Sequence, residues 1–336
     1  MAMEKLDILG IGNAILDVQS RAEDADLDRL GMPKGGMSLI GTEDAERLYA
    51  AMGPGVESSG GSAANTCAAA AALGAKVGFL GKVADDELGR VFRHDITSAG
   101  VVFPTAPLAG GAPTARCLIL VTPDGQRTMN TYLGACVSFG PKDLDADAIR
   151  AAQVTYLEGY LFDPPEAQAA FREAARIAHD AGRKVALSLS DAFCVGRHRD
   201  AFLDFVREET DILFANEHEI LSLYQTEEFS EAAVAVRRDV GFAALTRSER
   251  GSVIFAGSGS FAVRAVPTRV VDTTGAGDAY AAGVLAGFAR GLVPAECGRW
   301  GAIAAAEAIS HFGARPQADL KALVAMKPRQ LAEALG

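Results

Sequence analysis

Short β-branched apolar runs alternate with Ala-rich amphipathic stretches along most of this chain, and that alternation limits its fold more than any other feature. Runs over 6–11, 76–80, 154–158, 184–189, 211–214, 242–246 and 252–255 have the length and side-chain type of buried strands. Helical stretches over 62–73, 86–99, 164–181, 198–208 and 217–224 fall between them, and two long ones, 276–290 and 294–311, follow. The pattern predicts an α/β fold with a mostly parallel sheet and helices on both faces. Two segments break it. Residues 14–48 are acidic, polar and Gly-rich, and residues 114–133 read as a hairpin turning at Thr122-Pro-Asp-Gly125. Neither fits a βα unit, and together they predict a small β sheet projecting from the main body. No repeat, linker or second compositional region appears, so residues 1–336 are expected to form one domain.

Charge and cysteine usage narrow the function. The 32 Lys+Arg against 43 Asp+Glu leave a net charge of −11, which argues against nucleic acid or an acidic membrane as partner. A bound polyanion would need a local pocket that overrides this field. Glu4 and Asp7 interrupt any leader-like run, and no stretch of 18 apolar residues occurs. The five cysteines (67, 117, 136, 194 and 297) form no CxxC pair and read as reduced, mostly buried thiols. A soluble cytoplasmic protein is expected.

The chemistry should lie in glycine-rich turns. Gly10-Ile-Gly12 opens like a dinucleotide fingerprint, but Ile15 stands where the third glycine belongs, and no GxxxxGK[ST] occurs. The strongest segment is Asp272-Thr-Thr-Gly-Ala-Gly-Asp278, a tight turn between a β-branched run and an Ala-rich helix. Gly275, Ala276 and Gly277 leave their amides open to an anion, and the helix start favours negative charge. Asp278 in the same turn makes sense as a base that takes the proton of a hydroxyl attacking a phosphoryl group. The alternative is a plain turn, with Asp278 complementing the helix dipole. Gly60-Gly-Ser-Ala-Ala-Asn65 also opens a helix. It reads either as a ligand-contacting loop, with Asn65 as hydrogen-bonder, or as a simple Ser/Gly turn. Asn216 and Glu219 suit a capping box, or a water-mediated Mg²⁺ site beside phosphates. Thr246, Ser248 and Gly251 offer hydroxyls and a turn to a phosphate, or form a solvated loop.

Taken together, these motifs resemble the ribokinase (PfkB) family of carbohydrate and nucleoside kinases. Asn13-Ala-Ile-Leu-Asp17, Gly60–Asn65, Gly81-Lys-Val-Ala-Asp-Asp-Glu-Leu-Gly89, Asn216/Glu219, Thr246/Ser248/Gly251 and the 272–278 signature occur in family order over about 6–316. The resemblance implies a three-layer αβα domain with a β lid, and segments 14–48 and 114–133 fall where that lid belongs. It implies an ATP-dependent kinase with Asp278 as catalytic base and Gly275, Ala276 and Gly277 as anion hole. Asp17, Gly60, Gly61, Ser62 and Asn65 would bind the acceptor, and Asn216, Thr246, Ser248 and Gly251 the nucleotide. Mg²⁺ would sit at Glu219 through water, and K⁺ beside Asp272 and Thr274.

Within the family, Gly10–Asp17, Tyr156-Leu-Glu-Gly-Tyr160, 187–193 and 211–216 are similar to the adenosine-kinase branch. So is Arg127, at the position of a phosphate-clamping arginine there. Met37, Cys117, Met129, Leu133, Leu161 and Phe193 supply an apolar surface suited to a purine base, although a plain lid core predicts the same residues. Gly313-Ala-Arg-Pro316 departs from the Cys-Thr-Phe-Pro run of eukaryotic adenosine kinases. The expected activity is phosphorylation of a nucleoside hydroxymethyl group, adenosine first. The alternatives are a sugar kinase acting on ribose, fructose or a keto-acid sugar, and a catalytically silent nucleoside binder. The expected partner is a small-molecule nucleoside or sugar, with the chain a monomer or a homodimer.

Overall fold

Nine strands hydrogen-bond in the order Gly259–Val263, Ser252–Ala256, Phe242–Thr246, Ile212–Asn216, Lys184–Ser188, Ala152–Glu158, Leu6–Ile11, Val77–Leu80, Val101–Val102. The computed structural model describes residues 5–124 and 126–335. Pairing is parallel from Val101–Val102 to Phe242–Thr246, and the last two strands add an antiparallel edge. Side chains alternate between two cores, as the pleat requires. Val154, Tyr156, Ala186, Ile212 and Phe214 enter one core, and Leu157, Val185, Leu187, Leu213 and Ala215 the other. Helices Ser62–Ala72, Ala276–Ala289 and Pro294–Ala308 cover the first face, and Pro165–Asp180 and Arg199–Glu209 the second. The result is the three-layer αβα arrangement.

A separate five-stranded sheet forms the lid, in the order Met37–Leu39, Arg127–Tyr132, Ala115–Val121, Ile15–Arg21, Gly55–Gly60. The hairpin over 114–133 is present as Ala115–Val121 against Arg127–Tyr132, with Gly125 of its turn outside the described residues. The segment 14–48 carries two strands, but also the helices Asp24–Leu30 and Thr42–Ala51, which pack behind the sheet through Leu27 and Leu48. The fifth strand, Gly55–Gly60, lies beyond that segment. Gly-Val-Glu-Ser-Ser-Gly has no apolar alternation, and its pairing with Ile15–Ser20 makes it a strand. The edge strand Gly259–Val263 and the helix Phe229–Asp239 were not expected, and the helix expected over 294–311 ends at Ala308.

Candidate active site

The site gathers where the parallel strands end and the lid begins. Asn216 and Thr246 are register partners at the C-terminal ends of neighbouring strands, the edge at which open α/β sheets bind ligands. Beside them, helix Ala276–Ala289 begins at Gly275, whose φ of 74° is left-handed. A Cβ there would stand 2.5 Å from that of Ala314, so the turn admits only glycine. Gly277 differs, because a Cβ on it would meet no atom within 4 Å. The first turn of this helix therefore faces open space, as an anion-accepting turn must.

Asp278 closes that turn and joins it to the second glycine motif. Its Oδ1 accepts the Ser62 hydroxyl at 2.6 Å, and its Oδ2 accepts Asn65 Nδ2 at 3.1 Å. Gly61, at φ 93°, turns the chain from lid strand into helix, and a side chain there would strike the Asn13 carbonyl. Burial raises the Asp278 carboxyl to about 6, against the hydrogen bonds from Ser62 and Asn65 and the positive charge of Arg315. Asp17 reaches about 6 as well, again through burial, with Arg315 and Arg127 opposing and Asp278 adding to the rise. Its carboxylate lies against Gly60, where a Cβ would come 2.4 Å from Oδ2.

Arg127 reaches from the lid hairpin to the main body. Its guanidinium pairs with Asp272 Oδ2 at 2.7 Å and donates to Thr274 Oγ1, while its buried Nε has no partner. Asp272 also accepts the Thr274 and Gly313 amides. These bonds and Arg127 outweigh its burial and hold its carboxyl below the usual range. The oxygens proposed for K⁺ are thus committed to a guanidinium and two amides. K⁺ does not fit beside Arg127 in this arrangement.

Glu219 sits in a capping box, accepting the Asn216 amide on Oε2 and Asn216 Nδ2 on Oε1. Burial lifts it to about 7 against the Asn216 bond, with Asp191 and Asp278 raising it further. Each oxygen keeps a lone pair for a metal-bound water, and among the described residues no cluster of three or more His, Cys, Asp or Glu could hold an ion directly, so a Mg²⁺ here would be held through its water shell. Ser248 and Gly251 form the positive-φ turn after Thr246.

On the lid, Met37 is in register with Met129, and Cys117 with Asp17. The two-residue period therefore puts Cys117 and Met129 on the Asp17 face. Met37 is 58 % exposed and Leu133 half-buried, whereas Phe193 stands 81 % exposed at the start of Ala192–Arg197. Leu161 lies fully buried in the far-face core instead of the pocket. Two site residues carried no assigned role in the sequence reading. Glu158 is a buried carboxyl that accepts Asn13 Nδ2 and the Ala63 amide, and burial raises it to about 7. The other is Arg315. A charged residue closing the apolar run 154–158 was the visible signal for Glu158.

A carboxylate held at an open helix start, under a β lid at the strand ends, is the arrangement a phosphotransferase acting on a small hydroxyl compound would need. The model of the pfkB family carbohydrate kinases matches residues 37–320. The structure superposes on the adenosine kinase of Sinorhizobium meliloti with a TM-score of 0.87 and 52 % identity, covering 95 % of this chain and 98 % of that one. A probable sugar kinase from Rhizobium etli CFN 42 gives 0.88 and 49 %, with the same coverages. The ATP-dependent ribose-1-phosphate kinase of Halopiger xanaduensis is 32 % identical over 68 % of this chain and 73 % of its own length. This chain belongs to the pfkB family and is an ATP-dependent carbohydrate or nucleoside kinase. No helix among the described residues is long and apolar enough to cross a membrane.

Proposed function

We propose that the whole chain works as one kinase unit that moves the γ-phosphoryl group of ATP to the hydroxymethyl group of a nucleoside, with adenosine preferred. The observation that carries this reading is the apolar lid face of Met37 and Met129, with the buried Cys117 beneath it beside Asp17. A purine base gives that surface a partner, and a bare pentose leaves it wet. Likeness to the S. meliloti adenosine kinase supports the same acceptor. The second reading, a free-sugar kinase, is favoured by the 49 % identity with the R. etli protein.

In the proposed mechanism Asp17 and Asn65 hold the ribose hydroxyls over Asp278. The acceptor oxygen attacks the γ-phosphorus, its proton passes to Asp278, and the bond from phosphorus to the β-bridging oxygen breaks, releasing ADP. A carboxyl near 6 is mostly ionised at pH 7.5 and can take that proton. The amides at Gly275, Ala276 and Gly277 face the charge that develops on the phosphoryl oxygens. Arg127 exchanges Asp272 and Thr274 for those oxygens, a bidentate task suited to its fork. Asn216, Thr246, Ser248 and Gly251 contact the nucleotide. Glu219 would hold Mg²⁺ through water, and the ion when bound would supply neutralising charge to the phosphates. Phosphorus NMR of the product tests the site of transfer. The expected signal is a monoester coupled to two protons, from a primary carbon. A phosphate on a secondary or anomeric carbon would overturn the assignment.

A further inference from the structure

We infer that Arg315 is a positioning residue that holds the 59–64 loop in its acceptor-binding shape and so sets acceptor affinity; this rests on the kinase reading above. Its guanidinium binds on both sides of the glycine hinge. Nε donates to the Ser59 carbonyl at 3.1 Å and Nη1 to the Ala64 carbonyl at 2.9 Å, and Nη2 reaches the Ser59 hydroxyl at 2.6 Å. Ser59 belongs to the lid strand Gly55–Gly60, and Ala64 to the first turn of the body helix Ser62–Ala72. The side chain therefore bridges lid and body across the residues that present Ser62 and Asn65 to Asp278. Asp95 takes the Ser59 amide at 2.8 Å, so Ser59 is held by two side chains.

The same short loop touches the nucleotide side. Gly313 donates its amide to Asp272, and Ala314 abuts Gly275. Arg315 thus fixes the acceptor loop relative to the anion-binding turn. Among the described residues no carboxylate lies within ion-pair distance of it. Its charge faces Asp17, Asp95 and Asp278 from further away. A largely buried guanidinium without a contact ion is costly, and backbone carbonyls satisfy it only through the planar fork. Lysine keeps the charge but cannot reach both carbonyls.

The test is steady-state kinetics on the full chain, with adenosine and ATP varied separately for wild type, Arg315→Ala and Arg315→Lys. We expect Arg315→Ala to raise the acceptor KM about tenfold or more while the ATP KM stays within about twofold, and Arg315→Lys to fall between. Millimolar guanidinium chloride, but not sodium chloride, should restore part of the Ala variant's acceptor affinity. Equal rises in both KM values, wild-type kinetics, or equal rescue by sodium chloride would overturn the role. If Arg315→Ala loses its cooperative melt, Arg315→Lys decides by the same KM split. A wild-type protein that turns over neither nucleoside nor sugar sinks the acceptor reading itself, whereas an active wild type with unaffected variants sinks only Arg315.

Discussion

Replacing Asp278 with Asn should separate chemistry from folding. The amide has the same shape, its Oδ1 can still accept the Ser62 hydroxyl, and a rotated Asn65 amide can meet its nitrogen. What disappears is the proton acceptor, and losing a general base costs roughly 10²–10⁴-fold in kcat, about 3–5 kcal/mol of barrier. Stability should move the other way. The carboxyl rises from 3.8 to about 6 on folding, so its contribution is full below the unfolded value and is lost as pH climbs through about 6. At pH 8 the neutral variant escapes that loss, worth at most about 3 kcal/mol and less with the cleft open to water. The assay is coupled ADP release at saturating ATP and acceptor, with thermal melts at pH 8. Wild-type kcat/KM should also fall below about pH 6, where Asp278 and Asp17 both take up protons, and the variant should show a shallower limb that leaves only the Asp17 share. Near-wild-type kcat in Asp278→Asn would refute the base assignment.

Three further substitutions probe neighbouring parts. Gly277→Val puts its side chain into open space, so it should fold normally yet lose about 10²–10³-fold in kcat; a collapsed melt would make the turn merely structural. Gly275→Ala should instead cost stability, about 1–2 kcal/mol for the left-handed backbone before the Ala314 clash is added, read as a lowered Tm. Glu219→Gln should raise the Mg²⁺ needed for half-maximal rate by severalfold without abolishing activity. An unchanged Mg²⁺ titration would leave Glu219 a helix cap alone.

The main sheet was readable in advance because its central strands are buried on both faces. Val154-Thr-Tyr-Leu157 and Val185-Ala-Leu187 put buried residues at consecutive positions, and so on both faces of their strands, which no exposed element would keep. The lid was half readable. Its hairpin announces itself by turn residues, whereas Gly55–Gly60 owes its strand to a partner forty residues away. Asp278 and Asn65 were visible because glycine turns flag them, although nothing local says that they touch. Arg315 was opaque. Its two carbonyl partners lie more than 250 residues earlier, and only the fold brings them within reach. Phe193 and Met37 are apolar yet stand exposed, and composition alone does not say which apolar residues stay at the surface.

The acceptor is decided most directly by competition. Equal concentrations of adenosine and ribose are offered together with ATP and Mg²⁺, and the two phosphorylated products are quantified at early conversion. Their ratio is the ratio of kcat/KM values. Covering ~100 Å² of the Met37 and Met129 face with a purine is worth ~2.5 kcal/mol at ~25 cal/mol per Å². Desolvating the polar edge of the base returns part of that gain. A tenfold ratio needs only ~1.4 kcal/mol, so the nucleoside monophosphate should exceed the sugar phosphate by about tenfold or more. An excess of ribose phosphate would contradict the account and place this chain among the sugar kinases.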